Sequence, residues 1–411
     1  MRIVFSAMTR ALASSARHPR VAVSLGRVLA IGFAVCFGTG LFSHLLQDPL
    51  PGMTFPTRPV SLYRVTQGVH VLVGSALVPL LLAKLWTVYP LLFKWPPARS
   101  IGGVLERAAI ALLVAAALVE LATGLANTYQ WYPWSFRFRQ THFALAWAII
   151  GALLVHIGVK LPVIVRWWRR SGSVDARGDL LPVREGEGEL GRPAPPARGL
   201  TGAVQRRLDR SQGAPSRVSR RTLLTATGLA SAAVVVTTAG QSVPALAPVD
   251  AFAPRRVGAG PQGLPINKTA AEARIVAQAT DPGWRLAVRA GPRTASLSLT
   301  DLRALPQSES VLPISCVEGW STSAHWRGVR VRDVAELVGA RGRDLVVQSL
   351  QHGAYGTTLL QASYAEDPLT LLALELNGEV LHVDHGYPVR LIAPARPGVL
   401  QTKWLASLEA R

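Results

Sequence analysis

Five long apolar runs punctuate the first 249 residues, at roughly 21–46, 65–89, 104–125, 141–165 and 222–243. The first four are long enough to cross about 30 Å of hydrocarbon as helices. Arg2, Arg10, Arg17 and Arg20 precede the first run; Lys94, Arg99 and Arg107 lie between the second and third; Arg166, Arg169 and Arg170 follow the fourth. The other two loops carry fewer basic residues. Because cytoplasmic loops are enriched in Lys and Arg, this alternation predicts four crossings with the N-terminus in the cytoplasm. Trp131, Tyr132 and Trp134 then fall at the outer interface, where amphipathic rings prefer to sit.

Residues 171–218 are rich in Gly, Pro, Arg and Glu without sustained periodicity, which predicts a flexible basic cytoplasmic linker. The fifth run differs in kind: Ser219-Arg220-Arg221-Thr222-Leu223-Leu224 leads a mildly apolar, Ala- and Thr-rich stretch. It resembles a twin-arginine export signal, an address for proteins that cross a membrane already folded; a basic flank on an ordinary helix is the plainer reading. Ala245-Leu246-Ala247 is similar to a cleavage site, but Pro248 after the cut opposes cleavage. The segment is therefore expected to stay as a fifth helix that places residues 250–411 outside the cell.

Beyond Asp281 the period changes to short strands and turns. Val311–Ile314 reads as a buried strand running into Cys316. Leu371–Leu376, Asn377-Gly378 and Val380–Val383 read as a hairpin on the tight turn that Asn-Gly favours. Val389–Ile392 is a further strand, and Asp333–Val338 a short helix stopped by Gly339. A mixed α/β domain of this size can bury its own core.

Charge sharpens this division. The chain has a formal charge of +20, yet residues 250–411 carry 17 Lys and Arg against 15 Asp and Glu, so the excess lies in the apolar N-terminal half. The pattern is that of basic membrane-flanking loops. Nucleic-acid binding is excluded as a reading, since no basic groove with interleaved aromatics is present. Of two cysteines, Cys36 lies within the first apolar run, and Cys316 is the only one in the polar domain, where no internal disulfide is possible. An unpaired thiol there calls for a use.

The chemistry gathers in the last hundred residues: Ser315-Cys316-Val317-Glu318-Gly319-Trp320-Ser321, then His385-Gly386-Tyr387-Pro388-Val389-Arg390, then Lys403-Trp404-Leu405. A soft thiolate suits a soft or high-valent metal. His, Arg and Lys on turns suit a phosphate-bearing ligand. Each feature alone is weak. Together with Trp326-Arg327-Gly328, Val331, Asp333, Val334 and Leu371-Leu372-Ala373, and in this order, they resemble the molybdopterin-binding domain of the sulfite oxidase superfamily over about residues 260–406. The resemblance implies that Cys316 ligates molybdenum, that His385, Arg390 and Lys403 contact the phosphate of a single pterin, and that the reaction is oxygen-atom transfer. True sulfite oxidases follow the cysteine with a Gly-Asn-Arg stretch and continue past the Lys-Trp-Leu motif. Here Val317-Glu318-Gly319-Trp320-Ser321 is closer to bacterial periplasmic methionine-sulfoxide reductase catalytic subunits, and the chain stops at Arg411, so sulfite is disfavoured. Glu318, Trp320 and His325 are candidates for the mouth of the site, with Trp320 equally placed for core packing.

The apolar half carries His44, His70, His142 and His156, and an intramembrane imidazole is by default a functional candidate. His142 and His156 are 14 residues apart, about 40° from the same helix face and roughly 21 Å apart in depth. That spacing on a fourth helix resembles b-type cytochrome subunits of formate dehydrogenases and nickel–iron hydrogenases. The resemblance implies an outer haem b held by His70 and His142, with His44 and His156 as alternates; the position facing His156 on the first helix is Arg27, which disfavours an inner haem. Gly38, Gly40, Gly68 and Gly74 would let a porphyrin approach closely. Glu120 is a candidate for a quinone or proton path, or a snorkelling carboxylate.

The expected architecture is an all-α transmembrane four-helix bundle of cytochrome b type (1–170), the linker (171–218), the twin-arginine-like segment with a fifth anchoring helix (219–249), and a mixed α/β sulfite-oxidase-like molybdopterin domain (250–411). The expected activity is that of a multi-pass bacterial cell-membrane molybdoenzyme, with membrane lipid, a quinone or other respiratory electron carrier, and a small-molecule substrate as partners. Two alternatives stand beside it: the same enzyme on a haem-free anchor with a separate electron partner, and a receptor or adaptor that uses the fold without metal.

Overall fold

The computed structural model describes residues 15–93, 101–169, 173, 181, 218–256, 258–353 and 355–411. The expected linker, the N-terminal Arg2 and Arg10, and Lys94, Arg99 and Arg170 lie outside them, apart from a few linker positions. The apolar runs form five helices: α1 (Pro19–Gln47), α2 (Leu62–Val88), α3 (Ile101–Thr128), α4 (Phe138–Trp168) and α5 (Arg220–Ala239). All five are long and apolar enough to span a membrane. α1, α3 and α4 extend the runs read from the sequence by one to three residues at each end; α2 starts three residues earlier and ends one earlier, and α5 starts two earlier but stops at Ala239, four residues before the expected end. Ser219 caps α5, its Oγ accepting from Thr222 N at 3.1 Å, so Arg220 and Arg221 open the first turn.

Compactness groups the residues differently from chain order. One unit comprises residues up to Phe37 with Val73–Asn127 and Tyr132–Val235; the other comprises Gly38–Leu72, Thr128–Trp131 and Val236–Arg411. In the first, Leu29, Leu77, Leu81, Ala116, Ala117 and Ile149 form an apolar seam. Arg27 lays its guanidinium 3.9 Å from the Trp168 ring centroid, which engages it at the position the cytochrome resemblance singles out.

The second unit holds two sheets, ordered β2-β1-β10-β5-β6 and β3-β4-β7-β8, with β9 on β7. The strands are β1 (Arg285–Ala290), β2 (Arg293–Ser298), β3 (Gln307–Ser315), β4 (Ser321–Arg330), β5 (Leu345–Ser349), β6 (Thr357–Leu360), β7 (Leu371–Leu376), β8 (Glu379–Val380), β9 (Arg390–Ile392) and β10 (Leu405–Ala410). Central β7 is buried on both faces, which is why Leu371-Leu372-Ala373-Leu374 reads as a continuous apolar run. The expected hairpin forms at Asn377 (φ 51°) and Gly378 (φ 83°), the left-handed pair that a tight primed turn requires. Its second strand is shorter than expected: pairing ends at Val380, and Val383–His385 turns into a 3-10 helix. The short helix is Val331–Glu336, with Gly339 at φ +66° beyond it.

The segment between α1 and α2 packs on this domain. Phe55 joins the core between the sheets and Val60 the core behind Cys316. Arg58 grips Asp367 with two bonds, 2.6 and 3.1 Å, and Gln361 Nε2 donates to Met53 O at 2.6 Å.

Candidate active site

β3 delivers Cys316. Strands β3 and β4 pair in register from Gln307–Val329 to Ser315–Ser321, so Cys316 opens the five-residue turn that joins them. The turn closes with Cys316 N donating to Trp320 O at 2.9 Å and Gly319 N to Cys316 O at 3.1 Å. Gly319 has φ +101°, a conformation that side-chain-bearing residues rarely adopt. Cys316 is 4% exposed; burial first, then the Glu318 carboxylate, pushes its thiol well above the ordinary range. Its Sγ accepts from Asn267 Nδ2 at 2.7 Å, and Asn267 Oδ1 accepts from Trp320 Nε1 at 3.0 Å. Trp320 therefore both packs in the core and orients the amide that meets the sulfur.

The basic residues converge on the other side of the same segment. Asn267 meets the sulfur, and the carbonyl of the next residue, Lys268, accepts from Lys403 Nζ at 2.6 Å. Lys403 Nζ also donates to Asp384 O at 2.9 Å. His385 Nε2 lies 2.7 Å from Pro261 O. Arg390 Nη1 donates to His385 O at 2.9 Å and Nη2 to Gln401 O at 3.3 Å, while its buried Nε has no partner. Gly386 is what lets them close up: a Cβ there would stand 2.9 Å from Arg390 Cβ and 3.2 Å from Lys403 Cβ. Burial depresses His385 to about 4, Arg390 to about 9 and Lys403 to about 7, with mutual repulsion adding to the effect at His385 and Lys403.

A guanidinium with an idle buried N–H, an ammonium and a neutral imidazole, all held by carbonyl oxygens, form a site rich in donors and short of negative charge, and a phosphate supplies that charge in the geometry guanidinium and ammonium groups prefer. Among the described residues, no group of three or more His, Cys, Asp and Glu can hold a metal ion. A metal at Cys316 must therefore bring further ligands with it, as a pterin dithiolene does. On both counts the residues fit a molybdenum–pterin cofactor.

His325 does not join the site: it pairs outward with Glu309 at 3.3 Å, on the strand face opposite the buried Trp326. Sequence reasoning missed Asn267, Gln67 and Gln130. The amide of Gln67 donates to Val317 O at 2.8 Å, and Gln130 Nε2 donates to Glu318 Oε1. No spacing marks a lone amide as a neighbour of a turn that lies 49, 188 or 250 residues away.

Of the histidines, His70 has its Nδ1 3.1 Å from Thr39 Oγ1, and a Cβ at Gly40 would lie 3.0 Å from its ring. Space above Gly38, Gly68 and Gly74 is open to 4 Å. His142 belongs to the other unit, its Nε2 3.2 Å from Glu120 Oε1; Glu120 is thus a buried partner and not a snorkelling carboxylate. His156 Nδ1 is buried without a hydrogen-bond partner.

A family model described as the oxidoreductase molybdopterin binding domain matches residues 273–411. Rat mitochondrial sulfite oxidase is 34% identical over 144 residues, 28% of this chain and 26% of that protein. The uncharacterized oxidoreductase YuiH of Bacillus subtilis is 36% identical over 115 residues, 28% of this chain and 57% of that protein. The putative protein-methionine-sulfoxide reductase subunit YedZ1 of Azospira oryzae is 34% identical over 111 residues, 27% of this chain and 42% of that protein. The chain therefore spans between 26% and 57% of the length of these relatives. Residues 273–411 are an oxidoreductase molybdopterin-binding domain, related to sulfite oxidases and to YuiH, in a chain that also carries five apolar helices.

Proposed function

We propose that the chain is a membrane-bound molybdenum-cofactor oxidoreductase that reduces S-oxides or N-oxides by oxygen-atom transfer, with Cys316 as the protein's ligand to the metal. The observation that carries this reading is the segment 261–270, which joins the buried thiol to the cluster of His385, Arg390 and Lys403 through adjacent residues, Asn267 and Lys268. His385, Arg390 and Lys403 would bind the pterin phosphate, and Asn267 would hold the sulfur's orientation. Bound there, the cofactor supplies two-electron oxygen-atom chemistry. Reduction of an S-oxide consumes two electrons and two protons and yields the sulfide and water. The absence of the Gly-Asn-Arg stretch, with Val317-Glu318-Gly319 in its place, supports a neutral oxide over the sulfite anion. A screen of S-oxides and N-oxides with a reduced dye as donor tests this; turnover of sulfite alone contradicts it.

The electrons would come from a respiratory quinol through a haem b between His70 and His142. Thr39 supports this assignment at His70, since hydrogen-bonding one ring nitrogen fixes the imidazole and leaves Nε2 as the ligating atom. A second reading, a haem-free anchor with a separate electron partner, is favoured by the Glu120–His142 contact, which engages the nitrogen a haem would need. An absorbance spectrum of reduced membranes separates the two. The twin-arginine-like start of α5 and the Arg-rich loops support export of the folded domain to the outer face of a bacterial cell membrane.

A further inference from the structure

The Cys316 turn is gripped at almost every residue, and most of the grips come from residues that precede the matched segment 273–411. Asn267 holds Cys316 and Trp320. Gln67, from the second turn of α2, donates to Val317 O at 2.8 Å. Gln130 donates to the Glu318 carboxylate and itself accepts from Arg255 Nη2. Ser242 Oγ donates to Gly319 O, and Gln241 O accepts from Ser321 N at 2.9 Å. Val71, one helical turn past Gln67, fills the space over Gly319: a Cβ there would stand 2.8 Å from Val71 Cγ2.

The α2 contacts are themselves tied back. Gln67 Oε1 lies 3.5 Å from Tyr63 Oη, and Tyr63, 1% exposed, pairs with Ser43 Oγ on α1 at 3.2 Å. A glutamine loses considerable rotamer freedom when fixed at both ends of its amide. A bridged amide between two helices and a turn offsets that loss through its hydrogen bonds, and the geometry it fixes is that of the turn bearing the thiol.

We infer that Gln67 and Gln130 are positioning residues for the metal-ligating turn, so that the first turns of α2 set the geometry at Cys316. The inference rests on the reading that Cys316 ligates molybdenum. It adds a coupling: His70 lies between Gln67 and Val71, so the imidazole proposed for haem and the side chains that grip the thiolate's turn share one stretch of helix. A shift of α2 at His70 displaces the turn with it.

The test uses full-length protein in detergent or nanodiscs, as Gln67→Met and Gln130→Met, which keep side-chain length and remove the amides. The molybdenum(V) paramagnetic signal reads the geometry about the ligating sulfur. Hydrogen exchange of a peptide covering 316–321, compared with one covering β7, reads the turn itself and needs no metal. The expected result is a shifted molybdenum(V) signal and at least about tenfold faster exchange in the turn, a loss of about 1.4 kcal/mol of local protection, with β7 unchanged. Loss of molybdenum with β7 exchange unchanged also supports the inference, because the turn then cannot hold the metal without its grip. Spectra and turn exchange superimposable on wild type in both variants would overturn it. Wild-type protein that binds no molybdenum, with the turn still loosened by the variants, would instead overturn the ligand assignment beneath it.

Discussion

Cys316 stood out in the sequence because a strand-like run ends on it and no second cysteine shares its domain, and the superfamily resemblance implied a ligand role for it; the amides that contact its turn were not legible. A Cys316→Ser chain should retain its helices and strands and lose turnover, checked by circular dichroism alongside dye-linked reduction. Arg390 makes a second residue-scale prediction. Its idle Nε and two carbonyl bonds suit a charged guest, so Arg390→Leu should lower pterin retention by a factor of about ten or more, given about 1.5 kcal/mol or above for a charge-assisted bond. His385 makes a third. Burial depresses its folded pKa to about 4, against about 6.5 for a free imidazole. The unfolded chain therefore takes up a proton first as pH falls. Stability of cofactor-free protein should drop between about pH 6.5 and 4 by on the order of 3 kcal/mol, with no change in this contribution above or below that window. His385→Asn should remove this part of the slope in tryptophan-monitored unfolding. An unchanged slope would mean that the imidazole is not held neutral.

At the scale of elements, periodicity served well where one physical cause dominates. The five helices follow from apolar length, and the Asn377-Gly378 turn from the left-handed backbone those residues tolerate. The failures lie where tertiary bonds decide. The hairpin's second strand ends at Val380 because the Gln262 amide nitrogen takes the Val380 carbonyl at 3.0 Å and its oxygen accepts from His382 N at 2.9 Å. The α1–α2 segment carries no strand or helix signal, yet Arg58 and Met53 tie it to the domain. Arg58→Ala should raise the rate of proteolytic cleavage within residues 48–61, with the sheets still protected, because Asp367 then loses the partner that holds the segment down. Equal cleavage in both proteins would show that Phe55 and Val60 suffice alone.

The whole molecule joins an electropositive, helix-rich N-terminal half to a nearly neutral enzyme domain. Linear order suggests a membrane part followed by a catalytic part, whereas compactness places Gly38–Leu72 and Thr128–Trp131 with the domain. Sequence cannot reveal that grouping, because it rests on pairings between segments hundreds of residues apart. Replacing Arg220-Arg221 by Lys-Lys should retain a C-terminal reporter in the cytoplasm if α5 acts as a twin-arginine address; unchanged export would assign those residues to an ordinary basic flank. The central claim is tested most directly by elemental and pterin analysis of purified full-length protein from a host able to make the cofactor. The account predicts stoichiometric molybdenum and pterin in the wild type and loss of the metal in Cys316→Ser; neither molybdenum nor pterin in the wild type would contradict it.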